Sequence, residues 1–209
     1  MSRFVRSERQ KLADLFLALG PDAPTMCTGW ETRDLAAHLV IRERRPDASL
    51  GMFVPPLRGH ARTVMREFAH RPYPELVDLV RYAPVWSPVS NPLTEGLANT
   101  LEFFVHHEDV RRAQPGWHPR DLPKADQAAL WRQVATISRL RLRRFPAAVL
   151  VQAPGFGEVP TGAGGETVRL IGAPGELVYF LSGRQRATRV QLDGPAPLTD
   201  RLRTAPLKI

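Results

Sequence analysis

The sequence predicts an α+β protein: a helical N-terminal part followed by a small α/β part. Three observations carry this. Apolar residues recur at helical spacing through the first two thirds of the chain, as at Phe4, Leu12, Leu15, Phe16 and Leu19. From Val149 onward the composition turns to Gly, Val and Thr, with short alternating runs between Gly and Pro turns, the pattern of strands and hairpins. The length of 209 residues suffices for one large domain or two small ones with a real core. The expected division is residues 1–148, helical, and 149–209, α/β.

Taken in order, the first helix covers 4–19 and is broken by "GPDAPT". Thr28 to Arg44 reads as the second, with Leu35, Leu39 and Arg42 on one face and His38 on its flank. "RRPDASLGMFVPP" reads as a loop, 57–70 as a third helix and 74–82 as a short one. "APVWSPVSNP" reads as an extended connection. A long helix comes next at 94–113, and another from Asp121 to Phe145, ended by Pro146. In the last part, "GELVYFLSGR" reads as a helix ended by Gly183, "TRVQLDG" as a strand and "APLTDRLRTA" as a final short helix. "GAGG" at 162–165 is a turn rather than a phosphate loop, since no helix with a Lys comes after it.

No apolar run approaches the ~20 residues that span a bilayer. The charged start, MSRFVRSERQKLADLF, has no apolar stretch of a signal peptide. Cys27 is the single cysteine, so no intrachain disulfide forms. Together these predict a cytoplasmic protein with no membrane partner. The net charge of +8, carried mostly by Arg, attracts anions: nucleic acid, anionic lipid or a small acidic ligand. The densest cluster, "RLRLRRF" at 139–145, reads first as a solvated helix end beside a favourable dipole. Aromatics do not interleave with it as stacking platforms would, which argues against nucleic acid.

The chemistry concentrates in "TLEFFVHHEDVRRA", residues 100–113. Glu102 and His106 are four apart and point the same way on a helix. Asp109 falls on that side, three beyond His106. The stripe Leu97, Leu101, Phe104 and Val105 faces the core, so the Glu102/His106 pair lies at the edge of the buried face. A carboxylate and an imidazole there need a partner. They satisfy each other, or both bind a metal. A catalytic zinc site uses three N/O ligands and keeps a position open. The best-placed third ligand is His38, mid-helix in "RDLAAHLVI"; the alternative for it is a hydrogen-bonded core histidine. His60, His70 and His118 read as surface residues, and His107 points about 100° away from His106. Glu102 and Asp109 lie ~10 Å apart along the axis, too far for a paired acid and base. Cys27, in "TMCTGW" before the second helix, is a structural thiol by default and a nucleophile with His38 as base in the other reading.

"GWETRDLAAHLV" together with "EFFVHHEDVRRA" resembles the DinB-like superfamily, in particular the mycothiol-dependent maleylpyruvate isomerase-like metal-binding proteins. The resemblance implies an N-terminal four-helix bundle with a small C-terminal α/β domain. By position it makes His38, Glu102 and His106 the ligands of a divalent ion, with zinc the usual assignment, and Asp109 and Asp34 residues that orient the histidines. Arg184, at the end of "GELVYFLSGR", is then a cofactor-binding residue. The implied chemistry is that of a mycothiol-dependent isomerase or thiol transferase, in which a metal-bound thiolate attacks an electrophilic or carboxylate-bearing small molecule. Two readings stand beside it. One is a bundle without metal that binds a small ligand or a partner; the other is anion or nucleic-acid binding through the arginines, with affinity falling steeply with salt.

Overall fold

The structure, a computed structural model, describes residues 2–52, 54–84, 86–87, 95–162 and 164–207. It divides into two compact units, Met1–Trp117 and His118–Ile209. The change in composition near 148 does not coincide with this division. The long helix Lys124–Leu142 precedes that change, yet it packs on the strands and helix that come after it.

The first unit is helical. Its elements are α1 (Arg3–Leu19), α2 (Thr32–Arg44), the single turn α3 (Pro46–Ser49), α4 (Arg58–Ala69), α5 (Tyr73–Arg81) and α6 (Glu95–Arg111). α1 packs on α6 and α5, and α2 on α4 and α5. Phe4, Val5, Leu12 and Phe16 of α1, Leu35 and Leu39 of α2, Leu76 and Val80 of α5, and Phe103 and Phe104 of α6 are all buried. The apolar spacing makes α1 and α5 amphipathic, while α2 and α6 are buried on several sides, and burial of these residues holds the unit together. α1 begins where Ser2 accepts from the Val5 amide, and ends at Gly20 with φ 83°.

One buried ion pair runs through this core. The Arg9 guanidinium donates to both carboxylate oxygens of Glu43, to the Val80 carbonyl at 2.7 Å, and lies 4.1 Å from the Phe103 ring centre. It ties α1, α2, α5 and α6 at one point.

The segment expected as a loop after α2 is instead built of short helical turns: α3 and two 3-10 turns, Leu50–Met52 and Pro55–Leu57. Gly51 permits this folding. A Cβ there would collide with the Leu57 carbonyl oxygen and stand 2.7 Å from the Ala61 Cβ. Asp47 of α3 accepts from Arg45 and lies 2.8 Å from Nε2 of His60 on α4, pinning the turn to the helix. The hydrogen bonds from Arg45 and His60 hold the Asp47 carboxyl well below the ordinary carboxylate range. A carboxyl whose folded pKa is depressed stabilises above its unfolded pKa and loses this as pH falls through the folded value. Asp47→Asn is therefore expected to lower the melting temperature slightly at neutral pH and not at strongly acid pH. The effect is small because the pair is exposed. Melting curves of the two proteins across pH check this.

The second unit joins α7 (Lys124–Leu142) to a four-stranded sheet and two further helices. The strands are β1 (Ala148–Ala153), β2 (Gly157–Thr161), β3 (Thr167–Ile171) and β4 (Gln191–Asp193), in the order β2-β1-β3-β4. β1 pairs antiparallel with β2 and parallel with β3, and β3 antiparallel with β4. Period-two burial of Val149, Val151 and Ala153 on β1, and of Val168 and Leu170 on β3, gives the sheet its buried face. α7 packs along α8 (Pro174–Leu181) and against β1 and β2. α8 is buried along its whole length, and α9 (Ala196–Thr204) closes the unit. Gly162 turns the chain after β2 with φ 73°, where a Cβ would stand 2.5 Å from the Ala147 oxygen.

The mixed helical and sheet architecture agrees with the predicted α+β class. Most of "APVWSPVSNP" and the side chain of Leu97 lie outside the described residues. Among the described residues no helix is long and apolar enough to cross a membrane.

Candidate metal centre

The site is built where α2 faces α6. On α6, Glu102, His106 and Asp109 succeed one another at helical spacing along one side. From α2, His38 reaches across: its Nε2 lies 3.0 Å from Glu102 Oε1. His106 Nε2 lies 3.4 Å from the same oxygen. The two imidazoles meet edge to face, 5.2 Å between ring centres. One donor atom from each of His38, Glu102 and His106 falls within 4.8 Å of the other two. The three side chains are mostly buried, at 13%, 21% and 12% exposure.

Two of the three donors are oriented from behind. Nδ1 of His106 lies 2.9 Å from Asp109 Oδ2, on a carboxylate that is wholly buried. This leaves Nε2 as the nitrogen turned toward Glu102. Arg42, one turn beyond His38, stands 3.5 Å from Glu102 Oε2 and donates to Asn99 Oδ1 at 2.7 Å. It holds the far oxygen of Glu102 and leaves Oε1 to the histidines. Trp30 packs on His38, 5.2 Å between ring centres.

Cys27 comes from the loop before α2. That loop is tied to α6 by the Met26 amide on the Asp109 carbonyl at 2.9 Å, and is closed on itself by Thr25 donating to the Trp30 carbonyl at 2.7 Å. The thiol donates to Asp109 Oδ2 at 3.2 Å and lies 3.9 Å from His106 Nδ1. Cys27, His106 and Asp109 form a second cluster of potential donors that shares His106 with the first.

Burial disfavours charge on all three central groups, and the outcome differs. For His38 burial prevails over the bond to Glu102 and lowers its pKa. For Glu102, burial is outweighed by the bonds to His106 and His38 and the charge on Arg42, and the carboxyl is held well below its ordinary value. For His106, burial is outweighed by Asp109, Cys27 and Glu102, and its pKa is raised well above the usual one.

The other titratable residues of the motif have structural partners. His107 points into the core, with Nδ1 3.0 Å from Glu8. Glu108 is buried and accepts from Arg111 at 3.0 Å and from Arg112. Asp34 does not orient a histidine: it accepts from the Glu31 amide at 3.1 Å, at the start of α2. His60 and His70 are exposed, as is His118. Arg184 lies in the second unit, where it donates to the Ser182 carbonyl at 2.7 Å. Sequence reasoning missed Arg42 and Asn99 as supports of Glu102. The signal available was that both fall on the helix sides that carry His38 and Glu102.

No protein-family model matches the sequence, and neither does any curated protein. The solved structures do show a likeness. A crystal structure of the mycothiol-dependent maleylpyruvate isomerase superposes with a TM-score of 0.58 at 16% identity, covering 91% of this chain and 90% of that one. A variant of the same enzyme with a histidine replaced by alanine gives 0.60 at 15%, with the same coverage. The chain has the fold of the mycothiol-dependent maleylpyruvate isomerase. At this identity the likeness is one of fold, and at that level it agrees with the resemblance read from the two helix motifs. The maleylpyruvate isomerase fold therefore frames a candidate metal centre whose donors come from this chain's own residues.

Proposed function

We propose that this chain is a divalent-metal protein of the DinB-like, mycothiol-dependent type, with His38, Glu102 and His106 as ligands and zinc as the favoured ion. In this reading the helical unit is the DinB-like bundle. The observation that carries it is the convergence of two imidazole Nε2 atoms on one oxygen of a partly buried carboxylate, with His106 steered from behind by Asp109. The donor set fits the group: two imidazole nitrogens and a carboxylate suit zinc and leave a position open, and an ion would take the place of the proton on His106. The buried carboxylate behind His106 is the usual outer support of a ligand histidine.

When bound, the ion would lower the pKa of a small-molecule thiol and supply thiolate near neutral pH. The chain's own residues do the rest. Glu102 offers Oε1 because Arg42 holds Oε2. His106 presents Nε2 because Asp109 holds Nδ1. Trp30 walls one side of His38. The activity proposed is isomerisation or thiol transfer on an electrophilic small molecule, with a mycothiol-like thiol as cofactor and Arg184 as a cofactor-binding residue, in the cytoplasm.

The test is elemental analysis of protein purified without a metal-affinity tag or chelator, beside His38→Ala. About one zinc per chain, lost in the variant, is the expected result. A wild-type protein that stays free of metal after zinc is added back would leave the cluster as a buried polar network and favour the non-catalytic ligand-binding reading.

A further inference from the structure

A cavity of about 450 Å³ opens beside His38 within the first unit. That is an ordinary volume for a small-molecule site. Its floor is apolar: Ile41 of α2, Ala48 of α3, and Ala61 and Met65 of α4, with Trp30 on the side of His38. Gly51 lies in the wall, where its lack of a side chain lets the short turns fold close over α4.

Two arginines complete the lining, Arg58 and Arg62. They stand four apart on α4, on one face, a spacing at which like charges repel. Arg58 is the first residue of the helix, whose opening turn holds no acid and whose N-terminus has no side-chain cap. A cation at that end opposes the helix dipole, which favours an anion. Neither arginine forms an ion pair among the described residues. Two exposed cations, without an ion pair among the described residues, thus stand at a cavity whose other lining is apolar apart from His38, the candidate metal ligand.

We propose that this cavity holds the apolar body of a small carboxylate, with its carboxylate at Arg58 and Arg62. The ligand class is an amphipathic monocarboxylate. A short dicarboxylate would set its second charge against Ile41, Ala48 and Met65, since the Nε2 of His38, which also lines the cavity, is engaged with Glu102. That this carboxylate is the electrophilic substrate rests on the proposed metal–thiol function; that the cavity binds it does not.

The experiment is calorimetric titration of metal-stripped protein with 2-naphthoate, with the neutral 2-naphthamide and with maleate. Stripping removes direct ligation to an ion as a source of affinity. The expected result is naphthoate binding at least about five-fold more tightly than naphthamide, from charge-assisted hydrogen bonds to arginine, and more tightly than maleate. In the Arg58→Gln, Arg62→Gln double variant, with its folding checked by circular dichroism, the preference for naphthoate over naphthamide should vanish while naphthamide affinity stays. Equal binding of acid and amide, a preference for maleate, no binding, or a preference that survives the double substitution would each overturn the inference. Zinc content of the wild type separates the two readings. Naphthoate preference without zinc uptake overturns the metal reading alone, and zinc uptake without that preference overturns this one alone.

Discussion

His106→Ala is expected to cut zinc affinity by more than roughly 100-fold, the upper end of what changes behind a ligand cost. The residue has two jobs in the proposed site. Its Nε2 is a ligand, and its Nδ1 carries the contact to Asp109 through which the ring is aimed. Asp109→Asn keeps the ligand and weakens its aim, together with the contact to the Cys27 thiol, so its loss should fall within about 10–100-fold. Competition with a chromogenic chelator measures both. A zinc ion that binds only the folded chain raises its melting temperature, so the wild type should gain stability on zinc addition and His106→Ala should not. Equal affinities for wild type and His106→Ala would remove His106 from the ligand set.

Glu43→Ala is expected to destabilise the first unit by about 3–5 kcal/mol, because it strands a buried guanidinium. Arg9 and Glu43 are each 1% exposed, so truncating the carboxylate leaves the guanidinium charge in the core. The remaining contacts, the Val80 carbonyl and the Phe103 face, do not neutralise it. Replacing both partners, as Arg9→Met with Glu43→Leu, should restore most of the loss, since apolar groups of similar size fill the space without a charge to solvate. Urea denaturation of the three proteins checks this. A Glu43→Ala midpoint matching the wild type would show that the pair is not buried in solution.

The candidate site was legible in the sequence to the extent that it is written along one helix. Glu102, His106 and Asp109 share a side because of spacing alone, and His38 stood out as an imidazole among apolar neighbours. The partners of the remaining groups were not legible, since they come from distant segments: Glu8 meets His107 only once α1 packs on α6. Arg9 and Glu43 gave no sign of pairing for the same reason. Asp34 was misread because the same residue type serves a helix start and a histidine, and the local backbone decided it. The α+β class came from apolar spacing and from the Gly, Val and Thr of the last part. The division into units did not, because α7 looks like the preceding helices by composition while packing on α8, β1 and β2.

The placement of the donors, one on α2 and two on α6, has a consequence for how the chain moves. Residues 38 and 102 are far apart along the backbone, so an ion shared between them would act as a reversible staple across a long loop. An ion that binds only the folded chain stabilises it by mass action, and it is lost whenever either helix opens. Loading the site should therefore slow amide exchange on α2 and α6 together, while leaving α8 of the second unit at its own rate. Metal supply would then set the lifetime of the helical unit in the cell as well as whatever chemistry it performs.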